Sequence, residues 1–248
     1  MIINRYFSLK LILLVVLLLT VVANWSTTAL AAPTIDIRQV DFSAEILSDG
    51  SMKVIEKRTI HFYDLSRGAT IFFSTADDIQ FSDITVREDN LPYRQVEQLP
   101  TSEPGTYATK NHPDRVEIDW SYRAEDETRV FILEYTAHNA VIVHTDTAEL
   151  YYQFIGDDWT IPTGMVKINL NLPPGAEKSE IKAWGHGAGA GKVEINSPTE
   201  ITWFVSHVPA GRFLEARLTF PPELVPGATR FSNREGLPKI LREEKQAL

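Results

Sequence analysis

The sequence offers two acidic pairs that could do chemistry, Asp157-Asp158 as the better candidate and Asp77-Asp78 as the second. Asp157 and Asp158 stand directly before Trp159, at the end of a run typical of a β-strand. In a turn, two carboxylates could bind calcium through their oxygen atoms, but the full calcium-loop pattern is absent. Neighbouring strand residues point to opposite faces, so such a pair rarely acts as general acid and base together. Turn chemistry is the simpler explanation, and we expect these three residues to be surface or ligand-contact residues.

A second candidate is the glycine-rich run that follows Trp184. Residues 185–192 have the composition of a phosphate-binding loop, but His186 stands where that loop needs its first glycine. Val193 stands where a serine or threonine must bind magnesium. The dinucleotide-binding pattern also fails, and no helix N-terminus follows to hold an anion. We therefore interpret the run as a flexible hairpin loop, and we keep Trp184 and His186 as candidate surface or ligand-contact residues.

No other catalytic constellation is visible in the sequence. The six histidines form no short metal-ligand spacing, cysteine is absent, and no nucleophile-elbow motif occurs. The sequence therefore predicts no catalytic residue, no metal site and no cofactor, and so a protein that is not an enzyme. An envelope hydrolase stays open as an alternative, because its carboxylates would come together from distant parts of the chain.

Aromatic residues support another alternative, a glycan or cell-wall binding module. A flat row of aromatic rings on one sheet would stack on sugar rings. Trp120 and Tyr122 share a face by the period of two, whereas Tyr151 and Tyr152 do not. Packing in the core explains most aromatic residues of a β-sandwich, so the glycan site remains the second interpretation.

The expected location follows from the net charge and the N-terminus. A net charge of −9 argues against nucleic acid as a partner, because phosphate binding needs a basic face. Residues 1–32 have the parts of a secretory signal: Arg5 and Lys10 precede an apolar run, residues 11–23, that is too short to span a bilayer. Either a cleaved signal peptide or an N-terminal anchor would export the rest of the chain.

Apolar and polar residues alternate over most of the remaining chain. From Ile35 the period is two, with a one-residue slip at Arg38 and Gln39 that predicts a β-bulge. Many short runs of this kind, separated by Gly and Pro turns, indicate an all-β antiparallel β-sandwich over residues 33–222. Residues 223–248 predict a linker and a short C-terminal helix.

Two segments interrupt this pattern. Glu56 and Arg58 share the apolar face of the run at residues 52–62, which indicates either an edge strand or a face partly open to water. Residues 99–114 are rich in Pro, Gly, Ser and Asn. We expect them to form one long surface loop, with a boundary between two sub-domains as the alternative.

Several segments, taken in order, resemble a known family. They are Asp49–Ser51, Val54–Glu56, Ile155–Trp159, Trp184–Gly187, Phe213–Arg217 and Phe220-Pro221. Their order and spacing are similar to the extracytoplasmic region of bacterial predicted membrane proteins in domain-of-unknown-function family 2207, over roughly residues 35–222. The resemblance implies a signal sequence, an exported β-rich domain and membrane helices after it, and it implies no activity or catalytic residue. This sequence departs from the pattern, since it stops at Leu248, where a membrane helix would be expected.

Together these observations predict an exported, membrane-associated β-sandwich that serves as an interaction or sensing module at the cell envelope. The expected partner is an envelope protein or a glycan. The expected membrane attachment is through the N-terminal segment or through a helix downstream of Leu248. A cleaved signal without a further anchor would make the domain secreted.

Overall fold

A computed structural model describes residues 35–189 and 191–247. The predicted signal peptide or anchor, residues 1–32, lies outside this part of the chain. Sixteen strands and one α-helix, α1 at Leu237–Ala247, account for most of the described residues. This confirms the predicted all-β fold class with a short C-terminal helix.

The strands follow one another closely, mostly through short turns. Three single-turn 3-10 helices, Ala76–Asp78, Lys178–Glu180 and Pro222–Leu224, lie between or after them. The strands are β1 Ile35–Ile46, β2 Met52–Phe62, β3 Ser66–Ser74, β4 Gln80–Glu88, β5 Leu91–Pro92, β6 Arg94–Gln95, β7 Thr106–Asn111, β8 Arg115–Ala124, β9 Glu127–His138, β10 Val141–Val143, β11 Ala148–Ile155, β12 Thr163–Asn171, β13 Lys182–Gly187, β14 Lys192–Ser197, β15 Glu200–Val205 and β16 Leu214–Phe220.

Eight strands form one long sheet, sheet A, in the order β14-β15-β12-β1-β2-β9-β4-β5. Adjacent strands of sheet A are antiparallel, except for β1 and β12, which are parallel. The register between β1 and β2 shifts between Ile37 and Gln39, which confirms the predicted β-bulge. One face of β2 is buried and the other is largely exposed, so sheet A is covered on a single side.

Two four-stranded sheets cover that side. Sheet B has the order β3-β8-β7-β6 and sheet C the order β10-β11-β16-β13. Phe62 of sheet A packs against Tyr122 of sheet B, and Phe42 of sheet A packs against Phe154 of sheet C, with ring centroids 5.1 Å apart in both cases. Because Phe42 and Phe62 lie on the same face of sheet A, sheets B and C lie side by side on it.

The aromatic residues proposed for a sugar-stacking row are part of this core. Trp120 and Tyr122 of β8 are 0% and 2% exposed, and their rings pack near Phe131 of sheet A. They share a face, as the period of two predicts, but that face is turned inward. The row therefore offers no exposed surface for a glycan, and core packing explains both residues.

Part of the predicted loop at residues 99–114 is a strand. β7 spans Thr106–Asn111 and pairs with β8, and Tyr107 is buried with its hydroxyl donating to the Ile84 carbonyl at 2.9 Å. The sequence of β7 is mostly polar, so alternation did not reveal it. Pairing to β8 and burial of one aromatic residue favour the strand here over local turn chemistry.

The glycine-rich run is not a hairpin loop. β13 pairs with β16 in sheet C, whereas β14 pairs with β15 in sheet A, so the run crosses from one sheet to the other. Gly187 has a φ of +103°, and a Cβ atom there would lie 2.1 Å from the Phe213 carbonyl oxygen. The glycine is required by this close approach and by the backbone conformation.

Helix α1 lies against the outer face of sheet C. Ile240 and Glu244 of the helix are buried, and Arg217 of β16 donates to Glu244 at 2.8 Å. The Asp146 carboxylate accepts from the Gly236 N–H at 2.7 Å, which satisfies a backbone donor just before the helix begins. The segment predicted as a linker and helix is thus held on the sandwich.

Candidate functional site

A cleft of about 500 Å³ lies where sheets B and C meet above sheet A. β3 of sheet B forms one wall, and the C-terminal half of β11 of sheet C forms the other. Arg58 of β2 and Tyr135 of β9 supply the floor. Because sheets B and C do not pair with each other, the middle strands of sheet A are left partly uncovered along this line.

The floor of the cleft contains a buried ion pair. The Arg58 guanidinium donates through Nε to the Glu56 carboxylate, and the two residues are 5% and 1% exposed. The Trp159 ring covers the guanidinium, with its centroid 4.6 Å from Arg58 Cζ. Burial raises the pKa of Glu56, and the neighbouring Arg58 opposes that rise.

The sequence left two explanations for Glu56 and Arg58 on an apolar face: an edge strand, or a face partly open to water. β2 lies between β1 and β9 in the interior of sheet A, so the edge-strand interpretation is wrong. Arg58 instead lines the cleft, which supplies an opening for a charged side chain within the sandwich. The signal was present in the sequence: two charges two residues apart on one face of an otherwise apolar run.

Two tyrosines that sequence reasoning did not single out as site residues lie beside the ion pair. The Tyr152 hydroxyl donates to the Tyr135 hydroxyl at 3.5 Å, and both residues are nearly fully buried. Burial raises the pKa of both phenols, so they remain neutral hydrogen-bonding groups at physiological pH. They come from different sheets, and only the fold brings them together.

The three predicted residues of the acidic pair segment line this cleft. Asp157, Asp158 and Trp159 follow β11 at its open end. Arg115 Nη1 lies 3.4 Å from Asp158 Oδ2, so the side chains meet across the mouth. The indole N–H of Trp159 is buried and has no hydrogen-bond partner among the residues that the structure describes.

The other two predicted residues lie elsewhere. Trp184 does not line the cleft, and its carbonyl accepts from the Trp203 indole N–H at 2.7 Å, which joins sheet C to sheet A. His186 lies 3.2 Å from Glu244 of helix α1, on the opposite side of sheet C. The five candidates therefore separate into three cleft residues and two residues that hold the sandwich and its helix together.

The cleft is acidic. Its lining residues include two arginines, of which Arg58 is already paired with Glu56. Across residues 35–189 and 191–247 no three His, Cys, Asp or Glu side chains converge as metal ligands would. The arrangement favours binding of cationic or hydrogen-bonding groups between aromatic rings. The carboxylates of the lining are Asp77, Asp114, Asp157, Asp158 and Glu215.

Comparison with known families agrees with the resemblance seen in the sequence. The family described as "Predicted membrane protein (DUF2207) N-terminal domain" matches residues 36–220. The chain belongs to this family. The matched region of the DUF2207 domain runs from β1 to β16 and includes every residue of the cleft. Among the described residues, no helix has the length and apolar character that crossing a membrane requires.

The DUF2207 domain also resembles several crystal structures at a distance. They include an M1 zinc metallopeptidase from Deinococcus radiodurans (TM-score 0.40, 10% identity, 75% of this chain and 42% of that one). A candidate protease from Parabacteroides distasonis gives a TM-score of 0.41 at 11% identity, with 75% of this chain and 41% of that one covered. A candidate nutrient binding protein from Legionella pneumophila gives 0.45 at 11% identity, with 75% and 67% covered.

The chain thus spans about two fifths of the length of the first two of these proteins. No curated protein matches the sequence. Structural similarities with TM-scores below 0.5 and identities of 10–11% support no conclusion about the fold or the function of this chain.

Proposed function

We propose that this DUF2207 domain is an exported binding module of the cell envelope, and that its ligand occupies the cleft between sheets B and C. The observation that carries the proposal is the cleft itself: about 500 Å³, lined by residues from all three sheets. Ligand sites in proteins typically have about 300–1,000 Å³ and combine an apolar lining with a few placed polar groups.

The groups in the cleft suit recognition of a ligand. The Trp159 ring lies in the lining of the cleft and stacks over the Arg58 guanidinium. Phe72, 42% exposed, supplies aromatic surface on the β3 wall, whereas the Tyr151 ring packs against Arg217 and His186 on the outer face of sheet C. A ligand that covers the rings of Phe72 and Trp159 would remove this aromatic surface from water.

The proposal is of binding without turnover. The hydrolase alternative keeps one supporting observation, because a concave cleft carries Asp157 on one side and Asp77 on another. We expect no release of products from purified peptidoglycan or from peptides incubated with the full-length chain. Hydrolysis that Asp157→Asn abolishes would establish the enzyme instead.

The binding proposal is tested with two variants of the same residue type. Trp159→Ala removes a ring in the cleft, whereas Trp184→Ala removes a ring outside it. Binding to the purified full-length chain is followed by saturation-transfer NMR with two probes: soluble peptidoglycan fragments and a random hexapeptide library. We expect one probe to bind and Trp159→Ala to weaken it about tenfold, which corresponds to an aromatic contact of about 1.4 kcal/mol.

Trp184→Ala should leave that binding unchanged. Equal losses in the two variants, or no binding by either probe, would remove the cleft from consideration as a ligand site. Binding of the peptidoglycan fragments alone would favour the glycan-binding alternative over recognition of a protein.

The export of the domain rests on residues 1–32. A fusion of alkaline phosphatase after residue 34, expressed in bacteria, should be active, because the enzyme needs an oxidising compartment to form its disulfides. A fusion that lacks residues 1–32 should be inactive. Activity without the leader would contradict export by this segment.

A further inference from the structure

β3 presents an unpaired strand edge to the cleft. It is the outermost strand of sheet B, with β8 as its partner. The Thr75 N–H donates to the Asp114 carbonyl at 3.0 Å, so the backbone groups of Thr75 face β8. The backbone N–H and C=O groups of successive strand residues point alternately to the two edges, so those of Ile71 and Phe73 also face β8. The N–H and C=O groups of three residues point the other way: Thr70, Phe72 and Ser74.

β11 presents a second unpaired edge. The short strand β10 pairs only with residues 148–150 of β11. The His144 N–H donates to the Thr147 carbonyl at 2.8 Å, so the backbone groups of Thr147 face the side of β11 on which β10 lies. Because backbone groups alternate between the two edges of a strand, those of Tyr151 and Gln153 face the same side. β10 ends before it reaches these two residues, and no other described strand takes its place.

All five of these residues line the same cleft. A free strand edge is a template for another strand, since its backbone donors and acceptors have no partner. We propose that an extended segment of a partner polypeptide enters the cleft and pairs with the edge of β3, with the edge of β11 on its other side. This inference rests on the proposed function, since it assigns a ligand to the same cleft.

The size of the cleft fits a short segment. One residue in a packed sheet occupies about 3.3 Å along the strand, 4.8 Å between strands and 10 Å between sheets, or about 160 Å³. A cleft of about 500 Å³ therefore holds about three residues. Strand addition gives affinity through the backbone, and specificity through side chains that alternate between the two faces.

The charge of the cleft selects a basic segment. Its lining carries five carboxylates against two arginines: the Arg58 charge is already balanced by Glu56, and Arg115 lies between Asp114 and Asp158. Opposite charge across an interface guides association and suppresses wrong partners. The chain itself has a net charge of −9, which disfavours a second copy as the occupant. The occupant is an extended segment with a Lys or Arg from a different protein.

The probe for this inference is a pair of hexapeptide libraries with blocked ends. One library has Lys fixed at the third position, the other has Glu, and the other positions vary. Binding to the purified full-length chain is measured by saturation-transfer NMR. We expect the Lys library to bind at least tenfold more tightly than the Glu library. Amide hydrogen exchange at Thr70, Phe72 and Ser74 should slow when the Lys library is present, as it does for newly paired strands.

Backbone pairing is tested on both partners. N-methylation of alternate peptide N–H groups should weaken binding in both registers, because one register faces β3 and the other faces β11, and by about tenfold where two hydrogen bonds are lost. Phe72→Pro removes the outward N–H of β3, whereas Phe72→Ala keeps it. We expect Phe72→Pro to weaken binding about tenfold more than Phe72→Ala, and proline is tolerated on an edge whose N–H faces outward.

The N-methylated peptides keep the test valid if Phe72→Pro does not fold. Equal binding of the two libraries, or indifference to both methylation registers, would overturn strand addition. If the libraries fail while peptidoglycan fragments bind and Trp159→Ala weakens them, this inference falls and the proposed function stands. If no probe binds, both fall.

Discussion

Arg58 and Arg217 are both buried, but their surroundings differ. Arg58 lies on β2 inside the sandwich and has one carboxylate partner, Glu56. Arg217 lies on β16 at the outer face of sheet C and has three, at 2.7 and 2.8 Å. These three come from sheet C and from helix α1: Glu149, Glu243 and Glu244. One arginine has a single partner beside a cleft, and the other is the centre of a network that seals a helix onto a sheet.

The two arginines also differ in how their carboxylate partners are held. Glu149 and Glu244 each have a second partner, His144 at 2.9 Å and His186 at 3.2 Å. Their network keeps partial compensation when one member is lost. A lone buried ion pair contributes little to stability compared with apolar residues of the same size. Stability alone therefore does not account for the Glu56–Arg58 pair, whose arginine lines the cleft that we propose as a ligand site.

Loss of the lone arginine should have the largest effect. Arg58→Met leaves the Glu56 carboxylate buried without a cation, and we expect the free energy of unfolding to fall by about 3–5 kcal/mol at pH 7. Urea denaturation of the full-length chain measures this change. The double variant Glu56→Leu, Arg58→Met should recover most of the loss, because an apolar pair replaces the ionic one. A double variant as unstable as Arg58→Met would contradict this account.

Loss of the network arginine should cost less. Arg217→Met leaves Glu149 and Glu244 with their histidine partners, and we expect the free energy of unfolding to fall by about 1–3 kcal/mol. Limited proteolysis should show earlier cleavage near helix α1, since the helix loses its main contact with β16. If Arg217→Met were more destabilising than Arg58→Met, the redundancy of the network would be refuted.

The two regions should respond to pH in opposite directions. Burial raises the pKa of Glu56 above its ordinary value of 4.5, so the folded protein holds this proton more tightly, and stability falls as pH rises above 4.5 through the folded pKa. A hydrogen bond from Arg217 lowers the pKa of Glu243, so its stabilisation is present above pH 4.5 and is lost as pH falls through the folded pKa.

Urea midpoints measured from pH 3 to pH 8 test this contrast. Wild type should lose stability relative to Glu56→Gln as pH rises from 4.5, and should gain it relative to Glu243→Gln as pH rises towards 4.5. Slopes of the same sign for the two variants would show that the local environments do not differ as described.

The sequence predicted the strands better than the site. Alternation identified β1 and β2 and the bulge between Ile37 and Gln39, because burial of one face of a sheet imposes a period of two. It did not identify β7, whose stability comes from pairing and from burial of Tyr107. Pairing partners distant in the chain leave no local pattern.

The sequence revealed only the part of the candidate site that is formed by neighbouring residues. Asp157, Asp158 and Trp159 were noticed because they are neighbours in the chain. The pairing of Tyr135 with Tyr152, and the meeting of two strand edges, depend on how three sheets are arranged. The Glu56–Arg58 pair shows that charged residues on an apolar face can indicate a cleft that opens into the core.

The smallest effect on stability should come from Arg115, which spans the mouth of the cleft. Its contacts with Asp114 and Asp158 are exposed, at 3.2 and 3.4 Å, and exposed ion pairs contribute little. Arg115→Ala should leave the urea midpoint unchanged within error.

The same change makes the cleft more acidic, so the Lys hexapeptide library should bind more tightly, and the gain should disappear in 1 M salt. Arg115→Gln is the matched control, because it removes the charge and keeps more of the side chain that covers Phe72. Tighter binding in both variants would assign the effect to charge, whereas tighter binding in Arg115→Ala alone would assign it to the uncovered ring. Weaker binding in both would contradict an acidic cleft that selects a basic segment.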